Sequence, residues 1–277
     1  MFLRGFFIVM MFLPLAGAYA SDTTEDRDKV IDEFMEASGL NHQIEQLPAM
    51  INASMQQGRN RMDEDTFAQV SAAMGETHTA QAFTEEIKSS LNKSYDKVRF
   101  TALLALVNSP FAQKMTQLEK EASTPEVMQH LQAYAATLDK DPPAPSRIAL
   151  IERLDKATGA TSTAMNIQLQ TAQTMISVLD PLLPAEQRMK PEQKEEMLWQ
   201  MQLQGRPMMQ QFIGLNMLYA YRSLPDKELE QYVTLHETDL GKWSADLMNR
   251  IMVAAFATLA EKAAVRVKEL KLQNSGS

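Results

Sequence analysis

The sequence predicts an all-α protein, a helical bundle of roughly ten helices in two related halves. Three observations carry that reading. Long stretches are built from Ala, Leu, Met, Gln, Glu and Lys, the strong helix formers. No sustained period-two run of β-branched residues with hairpin turns occurs. The punctuation is helical, with Gly at helix ends and Ser-Pro or Thr-Pro at helix starts.

The chain opens on an expected signal peptide, residues 1–20. Arg4 is a short positive start, Gly5 to Leu15 is almost wholly apolar, and Ala18 and Ala20 are the small residues read before cleavage. Cleavage there leaves Ser21 first. The apolar run is too short for a membrane span, which needs roughly 20 residues, so no transmembrane segment is expected afterwards. The chain has no cysteine. That excludes a disulfide framework, a thiolate metal site, a cysteine nucleophile and a cysteine-linked lipid anchor. The net charge of −8 becomes −9 once Arg4 is removed, which argues against nucleic acid and against non-specific binding to anionic lipid.

The first expected helix, Asp26–Ser38, carries Val30, Ile31, Phe34 and Ala37 on one face and ends at Gly39. Ser109-Pro110 and Thr124-Pro125 each set a cap residue before a proline. A helix over Glu126–Leu138 then stops at the proline-rich linker 139–146, whose prolines cannot continue it. The linker separates repeat one, 21–138, from repeat two, 147–277. Ile31–Gly39 aligns with Ile151–Gly159 at an offset of 120, and Leu106–Lys114 with Leu235–Trp243 at an offset of 129. The pattern reads as a tandem duplication with about nine residues inserted. A long last helix is expected from Leu240 to Leu270, with Trp243, Leu247, Ile251 and Ala254 as its apolar stripe.

These segments resemble the bacterial family called domain of unknown function 2059, in which a helix ends in a small residue and Gly and a later helix runs into Ser-Pro-x-Gly-x-Lys. Ile31–Gly39 and Leu103–Lys114 carry the likeness in one half, Ile151–Gly159 and Tyr232–Lys242 in the other. The first copy keeps Ser109-Pro110 with Ala112 for the Gly; the second keeps Gly241 with Thr238-Asp239 for Ser-Pro. The resemblance implies an exported, periplasmic helical protein and carries no catalytic residues.

No catalytic motif, metal site or cofactor site is expected. Ser90-x-x-Lys93 and Ser94-x-x-Lys97 lack the companion tripeptides of penicillin-interacting enzymes. His42, His78, His130 and His236 are isolated, and His236, Glu237 and Asp239 spread around a helix. Glu85-Glu86 and Glu195-Glu196 read as first-turn acids of helices.

Methionine is the unusual residue, twenty in all. From Met197 to Tyr221 the only charge is Arg206, and six Gln or Asn are interspersed. A surface helix normally has a charged back. This one is therefore either sandwiched inside the bundle or covered by something else. Met197, Trp199, Met201, Met208, Met209 and Phe212 form the candidate groove, with the Met197–Met201 side facing it. The expected function is non-enzymatic: binding of a protein partner or apolar ligand through the Met-rich second half, with a homodimer open. The alternatives are an enzyme with a dispersed site and an envelope-maintenance protein without ligand.

Overall fold

A computed structural model of the chain describes residues 24–59, 63–124, 127–180, 186 and 188–275. The expected signal peptide and Pro125 lie outside them. Among the described residues there are twelve helices and no strands. The first half holds α1 (Thr24–Ala37), α2 (Leu40–Gly58), α3 (Glu64–Thr77), α4 (Ala80–Lys93), α5 (Lys97–Val107), α6 (Pro110–Glu121) and α7 (Val127–Leu138). The second holds α8 (Pro145–Thr158), α9 (Ala160–Leu179), α10 (Pro191–Ala220), α11 (Asp226–Glu237) and α12 (Asp239–Ser275).

Local chemistry sets the boundaries. Asp63, Thr79, Asp96 and Ser109 each accept a bond from the backbone N–H three residues on, at 2.9, 3.1, 3.0 and 3.2 Å, and so start α3 to α6. Pro110, Pro145 and Pro191 fill first-turn positions whose N–H has no helical acceptor. Thr79 starts α4, six residues before Glu85. Glu85 and Glu86 therefore lie mid-helix rather than in a first turn, and Glu86 pairs with Lys262 of α12 at 2.8 Å. Likewise α10 starts at Pro191, and Glu195-Glu196 fall in its second turn.

Two left-handed turns recur 120 residues apart. Gly39 (φ 76°) turns α1 into α2, and Gly159 (φ 68°) turns α8 into α9, 120 residues later. Both are left-handed, a region that disfavours any side chain. A Cβ on Gly39 would sit 2.8 Å from Thr116, and one on Gly159 would sit 2.6 Å from Asn249. The packing repeats as well: α1 lies on α4 and α5 as α8 lies on α10 and α11. Ser109 caps α6 through the Ala112 N–H, and Thr238 caps the start of α12 through the Gly241 N–H at 3.0 Å. At Gly241 a Cβ would meet the Leu235 carbonyl oxygen at 2.3 Å, so this copy of the motif has room for hydrogen alone.

Each half lends one helix to the other's core. Met115 of α6, with Phe111 and Leu118 beside it, enters the second-half core of Leu150, Ile151, Leu154, Leu229 and Val233. Reciprocally, Leu247, Ile251, Ala255 and Leu259 of α12 enter the first-half core of Ile31, Phe34, Phe83, Ile87 and Phe100. Single contacts keep the equivalence. Lys114 of α6 pairs with Glu228 of α11. At the positions 129 residues away, Arg99 of α5 lies 5.2 Å over the ring of Trp243 of α12. One joint is an ion pair and the other a cation–π contact. Residues 139–144 join the halves in sequence, but in space α6 and α12 interlock them.

Candidate interaction surface

Helix α10 is long, thirty residues, and its buried residues are Tyr219 and Ala220 at its far end. Before that it rests on the bundle along a narrow strip. Gly205 lets α9 approach, with the Met165 methyl 3.4 Å from where a Cβ would be. Its start is pinned to the end of α9: the buried Asp180 carboxylate accepts from Lys194 at 2.6 Å and from the Met189 N–H at 2.7 Å. The Lys194 bond, helped by the Met189 N–H, holds the Asp180 carboxyl below its ordinary range. Pro207 sits within the helix and withholds one N–H from the helical ladder.

The remaining surface of α10 is open and apolar. Trp199 is 53% exposed, Leu203 56% and Met208 71%, with Met197 and Phe212 also exposed. The expectation left two settings for this segment, and the structure places it on the surface. Residues two apart on a helix diverge by about 200°, so Met197 and Trp199 lie on opposite flanks. Spacings of eleven and fifteen return Met208 and Phe212 to within roughly 60° of Met197. Met201 and Met209 are half-buried.

The groove lies on the other flank from the one expected. A depression of about 570 Å³ lies between α9 and α10, lined also by Val253 of α12. Its walls are Asn166, Gln170 and Gln173 of α9 and Glu195, Trp199 and Gln202 of α10. Of the six expected groove residues, only Trp199 lines it. The others occupy the opposite flank or lean inward because the α9 contact takes the side of the helix that holds Leu198 and Gly205. Sequence reasoning missed Leu203, and it missed α9. The signal for α9 was present: between Lys156 and Asp180 no residue is charged.

The residues expected to be chemically inert stand as follows. His78 is buried at the end of α3, edge-on to Phe83 at 5.8 Å, and burial pushes its pKa down to about 4. His236 meets Tyr232 edge-on with ring centroids 4.6 Å apart, whereas Glu237 turns to Arg153 at 2.9 Å. Among the described residues no three His, Asp or Glu side chains converge as metal ligands. One polar cluster was unforeseen. Tyr221 and Tyr232 both donate to Glu119 Oε1, at 2.6 and 2.7 Å, across the α6 joint. Burial pushes the Glu119 carboxyl and both phenols up. It clamps α6 to the end of α10 and to α11.

Among the described residues no helix is long and apolar enough to cross a membrane. No family model, curated protein or solved structure matches the chain.

Proposed function

We propose that this chain is an exported, non-enzymatic helical protein that binds a protein partner or apolar ligand through its Met-rich second half. The observation that carries the reading is five exposed large apolar side chains on one helix, Trp199 and Leu203 on one flank and Met197, Met208 and Phe212 on the other. Contiguous exposed apolar surface marks interaction sites in soluble proteins. Interface cores are enriched in Trp, Phe and Met and depleted of charge, and α10 past residue 196 has that composition. The likeness to domain of unknown function 2059 and the signal-like first twenty residues support a periplasmic setting.

The test is in vivo photo-cross-linking. A photoreactive residue placed at Leu203, and separately at Met208, is expected to give a discrete adduct in intact cells. The same residue at Val265, exposed on α12 away from this surface, is expected to give none. Equal labelling at all three sites, or none at 203 and 208, would remove the binding reading.

A further inference from the structure

The α10 face has a charge order that apolar binding alone does not require. At about 100° per residue, Glu195, Trp199, Gln202, Leu203 and Arg206 fall within roughly 100° of one another around the helix, and all five are exposed. Along that stripe an acidic end comes first, the Trp and Leu follow, and Arg206 closes it as the one basic residue. An acid–apolar–base order on one helix is self-complementary when two copies run antiparallel. A twofold axis at the level of Gln200 and Met201 sets Glu195 of each copy opposite Arg206 of the other. The same axis sets Trp199 opposite Gln202 and Leu203. Such contacts are isologous, each pair occurring twice, as a twofold interface demands.

Charge narrows the occupant further. Past Glu196, α10 offers a basic partner no acid and an acidic one only Arg206. Two copies of a chain of net charge −8 repel each other over most of their surface. They meet without opposed carboxylates where α9 and α10 lie side by side, because α9 is uncharged throughout. Resting on the reading of α10 as a binding surface, we propose that its occupant is a second copy of this chain. The copies pair antiparallel through α10, Trp199 packs on Leu203 of the other copy, and two Glu195–Arg206 ion pairs close the ends.

Sedimentation equilibrium of the chain from Ser21 onward tests this. A dimer is expected, and Trp199→Glu should render it monomeric with its helix content by circular dichroism unchanged. Arg206→Glu and Glu195→Arg should each weaken it by roughly tenfold or more, as opposed like charges do. The double variant Glu195→Arg/Arg206→Glu should restore it to within about threefold, because the pair is reversed rather than removed. With Trp243→Phe as background, Trp199 emission should shift to the blue on association. A chain monomeric at about 100 µM, weaker than any useful self-affinity, overturns the proposal. So does a dimer indifferent to Trp199→Glu, or a double variant no better than the singles. If the chain is monomeric while position 203 still cross-links to a different protein, self-pairing fails and the binding surface stands. If it is monomeric with no adduct, both fail.

Discussion

His78 and Glu119 are two buried titratable side chains whose protonation pulls stability in opposite directions. For His78, burial lowers the pKa from 6.5 to about 4. As pH falls, the unfolded chain takes up the proton first, so stability present above pH 6.5 is lost on the way down to about pH 4. The loss is about 3 kcal/mol by the conversion of pKa shift to free energy. Urea unfolding of His78→Gln at a series of pH values should show a shallower acid decline than the parent; equal slopes would contradict the assignment. For Glu119 the folded value is raised above its ordinary 4.5. Stability is then fullest below that value and is lost as pH rises through the folded value. Both tyrosines donate to Oε1, an atom that Gln retains. Glu119→Gln should therefore be neutral at acid pH and stabilising at neutral pH, whereas Glu119→Leu leaves two phenols without an acceptor and should cost about 2 kcal/mol.

Helices α10 and α12 are both long and both poor in charge at their centres, yet they have opposite settings. Leu247, Ile251, Ala255 and Leu259 are buried at four-residue spacing, so α12 is a core helix over that stretch; the stripe follows Ala255, while the expected Ala254 faces out. Helix α10 carries its apolar side chains outward on two flanks. Thermal melts should separate them. Leu247→Asp puts an unpaired carboxylate among Phe and Ile side chains and should cost more than about 4 kcal/mol or prevent folding. Met208→Asp should change stability by less than about 0.5 kcal/mol, as surface changes do. A large loss at Met208 would mean that α10 is covered within the monomer.

For the whole molecule the decisive feature is the exchange of α6 and α12. Residues 139–142 are exposed, whereas Ser146 and Arg147 in the first turn of α8 bond Asp226 at 3.2 and 2.9 Å. Limited trypsin digestion should therefore cut early at Lys140. The nicked product should still migrate as one species of the parent's size, because α6 packs in the second half's core and α12 in the first half's. Separation of the fragments without denaturant would rule out the interlock. Reassembly after full unfolding should be slower for the nicked chain, since joining two fragments is concentration-dependent.

What the sequence by itself determined is local. Composition and capping residues placed helices at nearly every described segment, because N-caps, first-turn prolines and left-handed glycines act over a few residues. The turns at Gly39 and Gly159 and the caps at Ser109 and Thr238 were legible because each is set by a few neighbouring residues. Helical periodicity shows that a helix has an apolar face but not which helix meets it. The tertiary structure alone decided that Phe111 and Leu240, 129 residues apart, each pack into the opposite half. It also decided the setting of Met197–Tyr221. A charge-free helix reads the same whether it is enclosed or merely free of neighbours that need its charge. Only the narrow seat on α9, taken through Leu198 and Gly205, left Trp199 and Leu203 in the open.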